Sequence, residues 1–254
     1  MGDIMNKIYI NNITNYLILN KALPIGIGTT AICFLTNNNK IIKLFINTFG
    51  KREMFNYFSD MEKHLEGLNS ISNDTFIGPE DILLDKDNNC IGYIFDYVKG
   101  RTLAHMKFNT DLRIFLNNYD RLVDNTKEIS DREYSIMDLH DRNIIINDDI
   151  KIIDIDRYIY RYSNYRDLFK VNINNINKTI LYSLFGVRDD QIMYFYDNKL
   201  EQLYNKAIYS DYKYFQELIY ALIDYDVKTK GDVLVKRMSL RRKKHNTYYH
   251  SNIL

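Results

Sequence analysis

The spacing of apolar residues changes once along this chain of 254 residues, and that change limits the folds open to it. Short β-branched runs bounded by Gly or Asn turns predict strands over 23–35, 40–46, 82–84 and 90–97. Apolar residues at helical spacing predict helices over about 110–128, 165–184, 190–209 and 211–225. We therefore expect an α+β fold, with a small antiparallel sheet lobe over 1–95, a hinge over 96–100 and a mainly helical lobe over 101–254.

Each part contains one exception to its own pattern. Residues 51–68 predict a helix beside the sheet, with an apolar stripe formed by Met54, Phe58, Met61, Leu65 and Leu68. In the helical part, residues 143–146 and 150–154 predict an antiparallel strand pair around the turn Asn147-Asp148-Asp149.

Composition excludes several classes of protein. With 46% hydrophobic and 26% charged residues, the chain has the balance of a globular domain rather than of a disordered one. Cys33 and Cys90 are too few for a disulfide framework or a cysteine-based zinc site. No apolar run approaches the ~18 residues that span a bilayer, and the first residues do not resemble a signal peptide. We expect a cytoplasmic protein, or one in the host cytoplasm if its source is a virus or phage.

The net charge of +1 hides a segregation of charge. Residues 228–254 hold eight basic side chains against one acidic side chain, whereas the first 227 residues are net acidic. Such a tail is compatible with nucleic-acid binding, although most charge runs are simply solvated faces. Nucleic acid is therefore expected as a partner only through this tail.

Two features of the predicted strands suit an anion. Gly26 and Gly28 lie between apolar segments, where a tight turn can present backbone N–H groups. Lys43 lies within an apolar strand, where an unpaired buried charge is costly. Each signal is weak alone, because hairpin glycines are often plain turn residues and a strand lysine can point to solvent.

A candidate partner for Lys43 lies on the helix predicted over 51–68. At 100° per residue, Glu62 is roughly 60° from the centre of the apolar stripe, closer than either Glu53 or Glu66. The pattern therefore predicts an ion pair between Lys43 and Glu62.

The strongest signal is the segment from Ile136 to Asp156. If its two strands pair, Asn143 and Asp154 lie opposite each other at the open end, with Asp138 on the preceding loop. An amide and a carboxylate suit Mg²⁺, and a loop carboxylate suits the orientation of a hydroxyl nucleophile. A purely structural role as caps of a hairpin is the alternative.

The order of these residues resembles the protein-kinase-like superfamily, over roughly residues 20–160. The resemblance implies that ATP and Mg²⁺ are cofactors and that Glu62 holds Lys43. Asp138 would be the catalytic-loop aspartate, with Asn143 and Asp154 as metal ligands. The implied nucleotide-binding residues are Gly26, Ile27, Gly28, Thr29, Thr30 and Lys43 for the phosphates, and Phe95, Asp96 and Val98 for adenine.

The sequence departs from that pattern at several places, among them Cys33 in place of the usual valine and the absence of an Ala-Pro-Glu element. Ala31 replaces the third loop glycine, and Ile136-Met137 replaces the His-Arg before the catalytic aspartate. His140 stands where Ser/Thr protein kinases have lysine, and Asp156 replaces the glycine of the Asp-Phe-Gly motif. His140 and the Asp-x-Asp ending resemble aminoglycoside, choline and sugar kinases instead. We expect Asp156 to form an ordinary ion pair with Arg157.

Several functions stay open at this point. The short interval from Val98 to Asp138 favours a reduced protein kinase that phosphorylates Ser/Thr hydroxyls, and a small-molecule kinase of the same fold is the alternative. A pseudokinase that binds ATP or a protein partner is a further alternative. Against it, the five residues that match the kinase motifs are all present: Lys43, Glu62, Asp138, Asn143 and Asp154.

Overall fold

A computed structural model describes residues 5–46, 60–161, 167–187, 197–209 and 211–236 of the chain. It divides into two compact units. Unit 1 comprises Met1–Lys99 and Ile153–Asp156, and unit 2 comprises Gly100–Ile152 and Arg157–Leu254.

Unit 1 is built on a six-stranded sheet in the order β1-β5-β6-β4-β3-β2. Its strands are β1 Asn6–Ile10, β2 Leu23–Ile27, β3 Ala31–Leu35, β4 Lys40–Phe45, β5 Asp81–Asp85 and β6 Cys90–Asp96. All neighbours are antiparallel except β1, which pairs parallel with β5. The sequence predicted neither β1 nor the helix after it, because a parallel edge strand depends on a partner 75 residues away.

The central strands hold the core of unit 1. Ile42, Leu83 and Ile94 come from three adjacent strands and are 0%, 0% and 7% exposed. Helix α1, Ile13–Leu19, follows β1 and has no buried residue. The described part of this unit thus contains one helix more than the sequence predicted.

Helix α2, Met61–Ser70, is the described part of the helix predicted over 51–68. The Asp60 side chain caps it by accepting a hydrogen bond from the Lys63 N–H, and Met61, Leu65 and Leu68 are buried. The rest of that prediction, including Met54 and Phe58, lies outside the described residues.

The described part of unit 2 contains four long helices: α3 Arg113–Asp131, α4 Leu168–Phe185, α5 Asn198–Tyr209 and α6 Lys213–Asp224. The Tyr119 and Phe215 rings stack with centroids 4.6 Å apart and join α3 to α6. Gly186 ends α4 at φ 56°, a left-handed conformation that glycine adopts without steric cost. The predicted start of α5 lies partly outside the described residues, since residues 188–196 are not among them.

Short strands complete unit 2: β7 Arg101–Thr102, β8 Tyr134–Ser135, β9 Ile144–Ile146, β10 Ile150–Ile152 and β11 Ile159–Tyr160. Strands β9 and β10 form the predicted hairpin, and their last pair is Ile144 with Ile152. Pairing stops two residues earlier than the sequence suggested. In this register the position opposite Asn143 is Ile153, so Asp154 is one residue out of register with Asn143 and lies two residues beyond the end of β10.

Within the described ranges, no helix combines the length and the apolar character needed to cross a membrane. The basic tail begins on unit 2, where residues 230–236 are helical. Its remaining basic residues, from Arg237 onward, lie outside the described residues.

Candidate functional site

Lys43 is the centre of a charged cluster inside unit 1. It lies on the central strand β4, and its side chain is 7% exposed. Its Nζ donates hydrogen bonds to Asp154 and, at 2.7 Å, to Asp156. The Asp156 side chain is also buried, at 5% exposure, whereas that of Asp154 is 41% exposed. A buried lysine thus binds one buried and one accessible carboxylate.

The neighbours of Lys43 keep it charged. Burial by itself lowers the pKa of Lys43, but Asp156, the Tyr93 hydroxyl and Asp154 outweigh burial and raise the pKa well above its usual value. The Tyr93 ring adds a cation–π contact, with its centroid 5.6 Å from Nζ. For Tyr93, burial is the main cause that raises the pKa well above its usual value.

The neighbouring strand β6 has no room for a side chain at Gly92, next to Lys43. A Cβ at Gly92 on β6 would lie 2.1 Å from the Lys43 carbonyl oxygen, a distance that no side chain tolerates. Gly92 therefore allows β6 to approach β4 closely at this point.

Glu62 is not the partner of Lys43 in this structure. Lys7 on β1 donates to Glu62 at 2.5 Å, and Lys7 also lies 3.9 Å from Glu66. The predicted Lys43–Glu62 pair is replaced by the Lys43–Asp156 and Lys43–Asp154 pairs, because two carboxylates already satisfy the buried ammonium. The expected Asp156–Arg157 pair is wrong for the same reason, since Asp156 binds Lys43.

The glycine segment forms the turn between β2 and β3. The Gly28 N–H donates to the Ala31 carbonyl at 2.8 Å, which closes the turn over Thr29 and Thr30. A Cβ at Gly26 would meet no atom within 4 Å, and one at Gly28 would meet only the Ala31 oxygen at 3.6 Å. Neither glycine is required by space in this conformation, and the Gly28 N–H is used within the turn. Ile27, between them, is 78% exposed.

The residues proposed to contact adenine end strand β6. Phe95 is buried at 7% exposure, and Val98 is half-buried. Asp96 accepts a hydrogen bond from Lys40 at 2.7 Å, and Lys40 also binds Glu80. The side chain of Asp96 is therefore engaged within the sheet.

Asp138 and Asp154 share an unusual backbone conformation. Their φ angles are 52° and 62°, in the left-handed region that few non-glycine residues occupy. Six other described non-glycine residues have a positive φ as well, so this conformation alone does not single out a functional site. In unit 2, Asp138 has a half-exposed side chain and lies 3.3 Å from Arg157 Nε.

Asn143 closes the loop that carries Asp138. It is 6% exposed, its backbone N–H donates to the His140 carbonyl at 2.9 Å, and its Nδ2 approaches the Asp138 carbonyl at 3.4 Å. The amide nitrogen thus contacts the loop that carries Asp138.

Asn172 on helix α4 fixes the start of the same loop, and sequence analysis missed it. It is fully buried, accepts a hydrogen bond from the Ile136 N–H at 2.9 Å, and donates to the Ser130 Oγ and the Tyr134 carbonyl. The only signal in the sequence was a polar residue on the buried face of a helix.

Replacing this amide tests its role. We expect Asn172→Ala to lower the free energy of unfolding by about 1–3 kcal/mol, because the buried Ile136 N–H loses its acceptor. Denaturant unfolding would measure this loss. Asn175→Ala, an exposed change on the same helix, is the control and should have little effect. Equal stability of both variants would contradict the assigned role.

Asp154, in unit 1, carries a hard oxygen ligand of the kind that Mg²⁺ prefers, and its carboxylate remains accessible while it binds Lys43. The amide oxygen of Asn143, in unit 2, is a ligand of the same type. Among the described residues, no group of three or more His, Cys, Asp or Glu side chains is placed to hold a metal ion. Mg²⁺ in a nucleotide site needs no such group, since water and phosphate oxygens complete its coordination.

Comparison with known proteins gives a likeness of fold. No protein-family model matches the chain, and no curated protein sequence is significantly similar to it. Among solved structures, the chain is similar to an apo pseudokinase, with a TM-score of 0.55 and 12% identity. The match covers 87% of this chain and 96% of that one. The chain therefore has a kinase-like fold with a β-rich lobe and a mainly helical lobe, which confirms the predicted fold class.

Proposed function

We propose that this protein is an ATP- and Mg²⁺-dependent phosphotransferase that acts on a hydroxyl group. The observation that carries the proposal is the buried, charged Lys43 in contact with the accessible carboxylate of Asp154. A cation that neutralises phosphates beside a carboxylate that binds Mg²⁺ is the arrangement that phosphoryl transfer requires. The kinase-like fold supports the same conclusion.

Each residue then has a distinct task. Lys43 binds the α- and β-phosphates, and Asp154 and Asn143 hold Mg²⁺, which supplies charge neutralisation of the phosphate oxygens. Asp138 orients the acceptor hydroxyl and takes its proton. The phosphates must compete with two carboxylates for Lys43. Asp154 is the more accessible of the two, so we expect ATP and Mg²⁺ to displace Asp154 from Lys43.

Two kinds of acceptor are proposed, a protein hydroxyl and a small hydroxyl compound. A Ser/Thr hydroxyl of a protein is supported by the short interval between Val98 and Asp138, which leaves little chain for an inserted substrate domain. A small hydroxyl compound is supported by His140 and by the Asp-x-Asp pattern of Asp154 and Asp156.

A second candidate is nucleotide binding without transfer. Asp156, in place of the usual glycine, gives Lys43 a second and deeply buried carboxylate. If this pair holds Lys43 away from the phosphates, the protein would bind a partner or nucleotide and transfer nothing. The similar solved structure is that of a pseudokinase.

One experiment separates these candidates. The purified chain is mixed with Mg²⁺ and γ-labelled ATP, with lysate proteins in one reaction and aminoglycosides, choline and sugars in another. We expect transfer of label that EDTA abolishes. Binding of an ATP analogue without any transfer would favour the second candidate. Absence of both binding and transfer would overturn the proposed function.

A further inference from the structure

Unit 2 contains a cavity of about 770 Å³ beside the loop that carries Asp138. Its walls come from that loop, from the second half of helix α4 and from the start of the helical segment 230–236. Four charged side chains lie in its lining, those of Asp138, Asp141, Lys178 and Lys230. Its volume falls within the ~300–1,000 Å³ of typical small-molecule sites.

Lys230 is the unusual residue in this wall. It is 7% exposed, and among the described residues no carboxylate lies within the 4.0 Å of an ion pair with its Nζ. Within the described part of the chain, its Nζ donates one hydrogen bond, to the Leu103 carbonyl at 3.4 Å, an oxygen that the Ser183 hydroxyl also approaches at 3.3 Å. An ammonium group has three donors, so this contact leaves most of its capacity unused.

The backbone holds Lys230 in place. Its N–H donates to the Thr110 carbonyl at 3.1 Å, and the Gly231 N–H donates to the Phe108 carbonyl at 2.7 Å. Burial lowers the pKa of Lys230 by more than the nearby Asp141 raises it, so the pKa of Lys230 is below its usual value. An incompletely paired ammonium that is fixed and desolvated is costly unless an anion binds it.

The lining of the cavity carries charges of both signs. Asp138, whose carboxylate is exposed, and Asp141 are acidic, and Lys178 and Lys230 are basic. The Lys178 Nζ also lies 5.2 Å from the centroid of the Tyr182 ring, within the same wall. A ligand complementary to these walls carries a hydroxyl for Asp138 and an anionic group for Lys230.

We propose that this cavity binds the acceptor, a small hydroxyl compound that carries a carboxylate or phosphate group held by Lys230. The inference rests on the proposed phosphotransferase function. In the reaction, the acceptor oxygen forms a bond to the γ-phosphorus of ATP as the bond to the β,γ-bridging oxygen breaks. That electron pair leaves with ADP, and the hydroxyl proton passes to Asp138.

The test compares acceptors that differ only in charge. Glucose, gluconate and glucose 6-phosphate form one set, and glycerol, glycerate and glycerol 3-phosphate form the other. We expect at least one anion to bind the full chain about tenfold or more tightly than its neutral counterpart, measured by calorimetry. Gluconate and glycerate report a carboxylate site, and the two phosphates report a phosphate site.

Lys230→Met should abolish this preference and raise the acceptor KM about tenfold or more, while the KM for ATP stays unchanged. Lys228→Met is the matched control, because Lys228 is an exposed neighbour paired with Asp226. A thermal melt checks that both variants fold, and Lys178→Met, which should weaken the same preference, provides a second variant. Equal binding of charged and neutral compounds, or no binding of any of them, would overturn the inference.

The outcome also separates this inference from the proposed function. Selective binding of an anion without phosphoryl transfer would support the cavity as an anion site and contradict the phosphotransferase. Transfer to lysate proteins or neutral sugars, with no effect of Lys230→Met, would support the phosphotransferase and contradict the anionic acceptor.

Discussion

Asp138→Asn is expected to lower the turnover of phosphoryl transfer by a factor of about 10²–10⁴, the range attributed to a positioned general base. The amide keeps the size of the side chain but cannot accept the acceptor proton. Asparagine also tolerates the left-handed backbone at φ 52°, so the loop is not strained further by the change. Turnover would be measured with γ-labelled ATP under saturating acceptor.

Stability should change little in the same variant. Asp138 is half exposed, and its contact with Arg157 is a surface pair of the kind worth about 0–1 kcal/mol. Asp148→Asn, on the exposed turn between β9 and β10, is the matched control and should retain full activity. Full turnover in a folded Asp138→Asn variant would remove Asp138 from the mechanism.

Asp156→Ala is expected to have the largest effect on stability, a loss of about 3 kcal/mol or more in the free energy of unfolding. Removing one partner of a buried ion pair is strongly destabilising, and here it would leave Lys43 only the partly exposed carboxylate of Asp154 as a partner. Lys43 and Asp156 have side chains 7% and 5% exposed, so water cannot replace the lost carboxylate. Urea unfolding at neutral pH would measure the change.

Asp154→Asn provides the comparison on the same lysine. Because the Asp154 side chain is 41% exposed, its loss should cost much less stability while it removes phosphoryl transfer. The double variant Lys43→Met/Asp156→Ala should be more stable than the sum of the two single changes predicts, since it removes both buried charges and leaves only the partly exposed Asp154. Strict additivity would contradict a direct Lys43–Asp156 interaction.

The raised pKa of Lys43 determines the pH range in which its ion pairs stabilise the fold, and hence the pH at which unfolding should be measured. A raised pKa in the folded state means that the stabilisation is fully present below the unfolded pKa of about 10.4 and is lost as pH rises through the folded value. Neutral pH therefore samples the intact pair.

Local patterns predicted the regular elements well. Helices α3, α4 and α6 and the hairpin of β9 and β10 lie within a few residues of their predicted bounds, because apolar spacing and turn residues act over short stretches of chain. Strand β1 escaped prediction, since its partner β5 is 75 residues away and a parallel edge strand has no turn to mark it.

The candidate site divides in the same way. The sequence by itself determined which chemistry-bearing residues are present and their order: the strand lysine Lys43, the loop aspartate Asp138, and the Asn143 and Asp154 that flank the hairpin. Each of these residues could be identified because its position depends only on the spacing of residues within one strand, helix or loop.

Only the tertiary structure decided which charges meet. Lys43 had several possible carboxylate partners, and contacts across 111 and 113 residues of sequence selected Asp154 and Asp156, while Lys7 on the unpredicted strand β1 took Glu62. The physical reason is that the cost of burying a charge depends on which groups surround it in the folded core. For the same reason, the roles of Asn172 and Lys230, both buried polar residues, could not be predicted from the sequence.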